Sequence, residues 1–236
     1  MYQTHRTFIK ADMKMSELIK ENPRLLMLLE HLEIDFMVSD KTVGQLCSSN
    51  SVPLQLFVVF GNLYNGFYPD EHEISPINEI APIIGFLKKS HIYYKTDKYP
   101  EILSLIRELK DKTNIEEVKL IERFFHDYFN EVLEHLDYED SIAFPYFMKL
   151  LGQKNCSGSK FSVKEYKEHH TDIETKLADL KNLLLKHIQI SNELALRRKL
   201  FLSLAELESD LLIHALIEEK ILLPLVAEVE KKCKNG

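Results

Sequence analysis

HLDYEDSIAFP (residues 135–145) and HALIEEKILLP (residues 214–224) are two copies of one pattern in this 236-residue chain. In each copy a glutamate follows a histidine by four residues, and a proline ends the pattern: His135, Glu139 and Pro145, then His214, Glu218 and Pro224. Residues four apart on an α-helix project from one face, a turn from each other. A single such pair is usually a solvated surface contact. Two copies with equal spacing, both within apolar stripes, instead predict metal ligands.

The composition favours a helical protein without a nucleic-acid partner. The formal net charge is -7, and the 30 basic and 37 acidic residues are interspersed. No basic stripe is available for a nucleic-acid backbone, so we expect no such partner. The chain has seven glycines and no tryptophan, and its abundant leucine, isoleucine, glutamate and lysine are typical of mostly helical proteins.

The cysteines and the apolar runs indicate a reducing, aqueous compartment. Cys47, Cys156 and Cys233 are few, odd in number and widely spaced, so they predict neither a disulfide framework nor a cysteine zinc site. The N-terminal stretch has no apolar core of signal-peptide length, and the longest apolar runs are too short to cross a bilayer. We therefore expect a soluble, cytoplasmic protein with no membrane contact.

The order of turn signals predicts an all-α chain with two domains. The acidic stretch YPDEHEIS, residues 68–75, separates a small helical N-terminal domain, residues 1–70, from residues 71–236. Four long amphipathic segments follow, here called segments A to D: Pro76 to about Lys112, after Asn114 to about Gly152, Ser162 to about His187, and after Ser191 to about Lys232. Short connections between long helices predict antiparallel neighbours, and hence an up-down four-helix bundle.

Each predicted helix carries a histidine in its apolar column. Apolar residues recur at steps of three and four, and the same steps reach His91 in segment A, His135 in B, His170 in C and His214 in D. His91 and His135 lie equally far from the connection between segments A and B, so they reach one level in the bundle. The connection between B and C is less symmetric, and extra length or a bend after Pro145 must be absorbed there.

These four histidines, with Glu139 and Glu218, make a set of six donors. Six donors exceed what one zinc ion takes and suit two metal ions that each carboxylate bridges. Imidazole and carboxylate favour iron, with manganese or zinc as substitutes, and an oxo or hydroxo bridge would leave an open position on each ion. Such a centre binds a diatomic gas or changes oxidation state. In segment C, His169 is the alternative to His170, although His169 is rotated about 100° from the apolar column.

The chain resembles the hemerythrin-like proteins at His91, at HLDYEDSIAFP, at EHHTDIETKL (residues 168–177) and at HALIEEKILLP. The resemblance implies a four-helix bundle that binds a non-haem di-iron centre. Closer still is the iron-sulfur cluster repair family of di-iron proteins, which pair such a bundle with a small N-terminal domain. The single inward histidine of segment C, where the oxygen carriers have a pair, also favours the repair family.

The sequence departs from the repair family in the N-terminal domain. In that family a vicinal cysteine pair follows an IDF or IDY segment, whereas here Met37 and Val38 follow Phe36. The chain therefore lacks the thiol pair of that domain, and a step that needs those thiols is not expected of this protein.

Three functions are compatible with these residues. The resemblance implies repair or protection of iron-sulfur clusters under nitrosative or oxidative stress, with a diatomic gas and damaged iron-sulfur proteins as partners. The alternative is a protein that binds or senses oxygen or nitric oxide without repair activity. A third reading is a metal-free helical interaction protein. No hydrolase or transferase motif is present, and we expect a monomer or a homodimer.

Overall fold

The computed structural model describes residues 6–74, 77, 79–113, 116–152, 162–163, 165–166, 175–186 and 192–235. These residues form helices and connecting turns, without a β-strand, so the predicted all-α class is confirmed. The chain forms two compact units, which we call the first unit (Met1–Lys89 with Leu216–Val226) and the second unit (Ser90–Ala215 with Ala227–Gly236). The predicted domain boundary after residue 70 stays a prediction.

The first unit begins with short helices that pack on a common apolar core. They are α1 (Met15–Glu21), α2 (Leu25–His31), α3 (Val43–Asn50), α4 (Leu54–Tyr64) and α5 (Glu71–Ile74). Helix α3 begins with a capping box, in which Thr42 and Gln45 each bond the other's backbone N–H. Phe57 and Phe60 of α4 are fully buried. Asn62 bonds both the N–H and the carbonyl of Ile9, which ties the extended N-terminal stretch to α4.

In the described part of the chain, segments A, B and D form long helices that each contain a π-turn. Segment A contains α6 (Ile80–Tyr93), π1 (Tyr94–Lys98) and α7 (Tyr99–Thr113), and segment B contains α8 (Glu116–Tyr138), π2 (Glu139–Ala143) and α9 (Phe144–Gly152). The longest described part of segment C is α10 (Thr175–Lys186). Segment D contains α11 (Leu194–Ile217), π3 (Glu218–Leu222) and α12 (Leu223–Asn235).

A proline follows each π-turn at the same distance. The proline is the second residue after the end of the turn: Pro100 after Lys98, Pro145 after Ala143, and Pro224 after Leu222. Proline has no N–H to donate, and its ring clashes with the carbonyl four residues earlier. In all three segments that carbonyl belongs to the π-turn, where an inserted residue already widens the helix. The π-turn of segment B lies before Pro145, so the extra length or bend expected after Pro145 stays a prediction.

Within the second unit, neighbouring segments run antiparallel. Lys95 pairs with Asp137 and Arg107 with Glu122, so residue numbers rise along A as they fall along B. The same opposed order relates A to D, in the pairs Lys98–Glu206 and Tyr94–Asp210, and C to B, in the pairs Tyr166–Glu139 and Lys176–Glu131. Lys181 of C also pairs with Glu208 of D. These pairs describe the up-down bundle that the sequence predicts.

The apolar columns predicted from the sequence form the interior of the second unit. Val118, Ile121 and Phe125 of segment B are buried, as are Leu200 and Leu204 of segment D. Among the described residues, no helix is both long enough and apolar enough to cross a membrane.

The cysteines differ from the sequence-based expectation in one respect. Cys47 is a buried free thiol, as expected for a small core residue. Cys233, however, is disulfide-bonded, whereas the spacing of the cysteines predicted reduced thiols throughout. Cys156 lies outside the described residues.

Candidate metal centre

Three histidine nitrogens surround one buried carboxylate, that of Glu139. Glu139 is the first residue of π2 and is fully buried. Its Oε2 lies 3.3 Å from Nε2 of His91 and 3.9 Å from Nε2 of His214, and its Oε1 lies 3.2 Å from Nε2 of His135. The hydroxyl of Tyr166, in segment C, donates a hydrogen bond to Oε1. Side chains from all four segments therefore meet at Glu139.

The surrounding donors keep Glu139 ionised. Burial raises the pKa of this carboxyl group, but the neighbouring imidazoles of His135, His214 and His91 outweigh burial and hold the pKa well below its usual range. An isolated buried carboxylate would be costly, whereas one surrounded by donors is tolerated. The centre thus presents an anionic oxygen pair to three imidazole nitrogens.

Two of the imidazole rings are held from behind by polar side chains. Nδ1 of His91 lies 3.0 Å from Oδ1 of Asp140, and Lys95 lies 3.3 Å from the other oxygen of that carboxylate. Nδ1 of His214 lies 2.8 Å from Oγ of Ser90. Burial raises the pKa of Asp140, but His91 and Lys95 lower the pKa by more than burial raises it, so the net shift is downward. In each of these rings, Nδ1 contacts a polar side chain on the side away from Glu139, and Nε2 points to Glu139. Metal-ligating histidines commonly have this arrangement, in which one ring nitrogen bonds a protein group and the other faces the metal.

Aromatic packing fixes the same rings in place. His91 stacks on Phe144 at a centroid distance of 5.5 Å and lies 5.1 Å from the His214 ring. Tyr94 meets the His214 ring edge-on at 5.8 Å, a favoured geometry for aromatic pairs. Because His91 is 1% and His214 3% exposed, these polar groups lie in a largely dry environment in which electrostatic interactions are strong.

The structure brings four of the six predicted donors together: His91, His135, Glu139 and His214. Glu218 is fully buried and is the first residue of π3, the same position that Glu139 has in π2, and it belongs to the first unit. His170 and its alternative His169 lie outside the described residues. The assignment of all six as metal ligands stays a prediction.

Several residues of this site were not singled out from the sequence. Tyr166 lies one turn before His170 in the apolar column of segment C, but that position does not predict its contact with Glu139. Asp140 follows Glu139 directly in the sequence, and an acidic residue at that position could have been predicted to contact the outer nitrogen of a histidine ligand. Nothing in the sequence indicates Ser90, since its contact depends on the orientation of the His214 ring.

The donor set fits a transition-metal cation. One atom from each of His91, Glu139 and His214 lies within 4.8 Å of the other two, and all three side chains are buried. Imidazole nitrogen and carboxylate oxygen are donors suited to divalent iron, manganese or zinc.

Comparison with known proteins identifies the family. No curated protein matches the chain. The family described as the hemerythrin HHE cation binding domain matches residues 99–227, more than half of the chain. The matched range includes His135, Glu139, His214 and Glu218, whereas His91 precedes it and enters the site through its contact with Glu139. The chain belongs to the hemerythrin HHE cation-binding family.

Proposed function

We propose that this chain is a non-haem di-iron protein that repairs or protects iron-sulfur clusters under nitrosative or oxidative stress. The ligands in this proposal are His91, His135, Glu139, His170, His214 and Glu218. The observation that carries it is the meeting of three histidine nitrogens at the carboxylate of Glu139. His170 and Glu218 enter from the sequence pattern.

The geometry at Glu139 favours two ions over one. Its Oε1 faces His135, whereas its Oε2 faces His91 and His214. A carboxylate whose two oxygens face different histidines suits a bridging role, in which each oxygen serves one ion. When bound, a pair of irons would supply redox activity and an open coordination position. Domains of the hemerythrin type bind diatomic gases such as oxygen, so a gas is the ligand we expect there.

The N-terminal helices support a repair role, with one restriction. The resemblance to the repair family includes a small helical domain before the bundle, and α1 to α4 form buried apolar contacts in that part of the chain. Where the family has its thiol pair, this chain has Met37, which is 83% exposed. The proposed repair therefore depends on the metal centre and not on vicinal thiols.

Metal analysis tests the di-iron centre. The chain, loaded with ferrous iron under anaerobic conditions and desalted, should retain two irons and absorb in the near-ultraviolet after oxidation. Glu139→Gln should lose iron because the amide is a weaker ligand than the carboxylate. Glu134→Gln is the matched control, since Glu134 lies on the same helix and is exposed. Iron contents well below one per chain, or equal iron in both variants, would contradict the assignment.

A repair assay separates the proposed role from gas binding alone. An iron-sulfur enzyme inactivated by nitric oxide should recover activity when the iron-loaded chain is added, and should not recover with the Glu139→Gln variant. A protein that only binds or senses oxygen or nitric oxide would leave the enzyme inactive while its own absorption spectrum changed with the gas. That outcome would replace repair with the alternative function.

A further inference from the structure

We propose that the candidate centre takes up its two ions in a fixed order, first at Oε2 of Glu139 and then at Oε1, and that the Tyr166 hydroxyl sets this order. The inference rests on the proposed di-iron function, because it concerns two ions that share one carboxylate. It deepens that function by making the two positions unequal in affinity.

The Oε2 side of Glu139 is ready to receive a cation. Among the described residues, no donor forms a hydrogen bond with Oε2, although this oxygen is buried. A buried polar atom without a partner is costly, and a cation would remove that cost. Nε2 of His91 lies 3.3 Å from Oε2 and Nε2 of His214 lies 3.9 Å from it, so two further donors face the same position.

The two histidines on the Oε2 side are oriented in advance. Asp140 contacts Nδ1 of His91 at 3.0 Å, and Ser90 contacts Nδ1 of His214 at 2.8 Å. These contacts fix the direction of each ring, so binding of an ion there costs little side-chain freedom. One donor atom from each histidine and from Glu139 already lies within 4.8 Å of the other two.

The Oε1 side of Glu139, by contrast, already accepts a hydrogen bond. The Tyr166 hydroxyl donates to Oε1, and Nε2 of His135 lies 3.2 Å from the same oxygen. Tyr166 and Glu139 are both buried, so water does not compete for this bond. The Tyr166 ring also meets the Phe147 ring edge-on at a centroid distance of 5.7 Å, a favoured packing that holds the hydroxyl in place.

The Tyr166 hydroxyl therefore lowers the affinity of Oε1 for an ion. A hydrogen bond to an ionised acceptor is roughly twice as strong as one between neutral groups. An ion at Oε1 must either displace that bond or share the electron density of the oxygen with it, and each alternative weakens binding. The phenol keeps its proton throughout, so the order of filling requires no covalent or redox step.

The same hydrogen bond could serve only to orient Glu139, and the two roles predict opposite results. If the hydroxyl competes with the second ion, Tyr166→Phe should strengthen the second binding step. If the hydroxyl only positions the carboxylate, Tyr166→Phe should weaken both steps. Phenylalanine keeps the ring and its contact with Phe147, so the variant removes the hydroxyl alone.

Anaerobic isothermal titration calorimetry of the chelator-treated chain with ferrous iron measures both steps. The native chain should bind the first ion at least about tenfold more tightly than the second, equivalent to about 1.4 kcal/mol. Tyr166→Phe should strengthen the second step by about tenfold and change the first step by less. Ser90→Ala should instead weaken the first step by about tenfold or more, because it removes the outer partner of His214. Tyr99→Phe is the matched control and should behave as the native chain, because Tyr99 stacks on Phe129.

Manganese gives a second readout, which needs no variant. One equivalent of manganous ion added to the native chain should give the electron paramagnetic resonance spectrum of isolated ions. A second equivalent should broaden that spectrum, because neighbouring ions couple magnetically. Tyr166→Phe should already show coupled pairs at one equivalent, since its two steps are closer in affinity.

The outcomes separate the order of filling from the function on which it rests. Two steps in the native chain that differ only by the statistical factor for equivalent sites, or coupled manganese pairs at one equivalent, would overturn the order and leave a two-ion centre standing. A second step that Tyr166→Phe weakens or leaves unmoved, or that Tyr99→Phe strengthens equally, would overturn the role of the hydroxyl. Saturation of the native chain by a single ion would overturn both the order and the di-iron function.

Discussion

Replacement of Tyr166 by phenylalanine should measurably destabilise the iron-free protein. The Tyr166 hydroxyl donates a hydrogen bond to Glu139, and the two residues are 1% and 0% exposed. A hydrogen bond to a charged group contributes about 1.5–3 kcal/mol to stability. Because neither partner is exposed, solvent screening does not reduce this figure. His135 stays within 3.2 Å of the same carboxylate oxygen, so the loss should not reach the full desolvation cost of an unpartnered charge.

Urea unfolding of the chelator-treated protein, followed by circular dichroism, measures this loss. Tyr166→Phe should lower the midpoint without changing the slope, since the surface exposed on unfolding is unchanged. The control is Tyr99→Phe, which removes the same hydroxyl from a ring stacked on Phe129. A loss below about 0.5 kcal/mol for Tyr166→Phe, the usual size of a neutral surface change, would refute the reasoning. An equal loss in the control would do the same.

Three further predictions concern the first unit. Burial raises the pKa of Cys47 to about 11, compared with about 8.5 for an exposed thiol. The stability that the neutral thiol contributes is therefore complete below about pH 8.5 and is lost as the pH rises toward about 11. Urea midpoints of the native chain and of Cys47→Ala, measured across that pH range, test this prediction. Asn62→Ala should cost about 2 kcal/mol or more in urea unfolding, because it strips partners from two buried backbone groups of Ile9. Thr42→Ala should cost about 1 kcal/mol in the same assay, because it removes the capping box shared with Gln45.

These three predictions have clear contrary outcomes. A native chain and a Cys47→Ala variant with the same pH dependence above pH 8.5 would show that the thiol is not the titrating group. Asn50→Ala is the control for Asn62→Ala: Asn50 is exposed and bonds the carbonyl of Leu46 and the hydroxyl of Ser49. Similar losses for the two asparagines, or a urea midpoint unmoved by Thr42→Ala, would contradict the contacts described.

The long helices could be predicted because their apolar periodicity extends over many turns. The sequence places segment B between Asn114 and Gly152, and the described helix begins at Glu116 and ends at Gly152. His91 and His135 reach the same level along the bundle because they lie equally far, in residues, from the short connection between segments A and B. Because the rise per residue of a helix is constant, the position of a side chain along the helix axis can be predicted from its residue number.

The details of the centre could not be predicted in this way. In a π-turn the backbone hydrogen bonds join residues five apart instead of four. The pattern of apolar and polar residues does not show where this change occurs. Pro100 follows His91 by one residue fewer than Pro145 follows His135, so the sequence of segment A does not repeat the spacing of segments B and D. Contacts such as Tyr166 to Glu139 depend on the rotation of segment C about its axis, which the apolar column defines only to within a broad face.

The π-turns have a consequence for engineering this chain. One residue added to a helix advances its angular phase by about 100°, so the parts of segment B before Glu139 and after Ala143 obey two separate heptad frames. A chimera that grafts a continuous, uninterrupted helix across this position would aim Phe144 and Phe147, both fully buried here, away from the interior. A graft that is joined after the added residue instead keeps the helical phase of the distal part of segment B, so that its buried phenylalanines still face the interior.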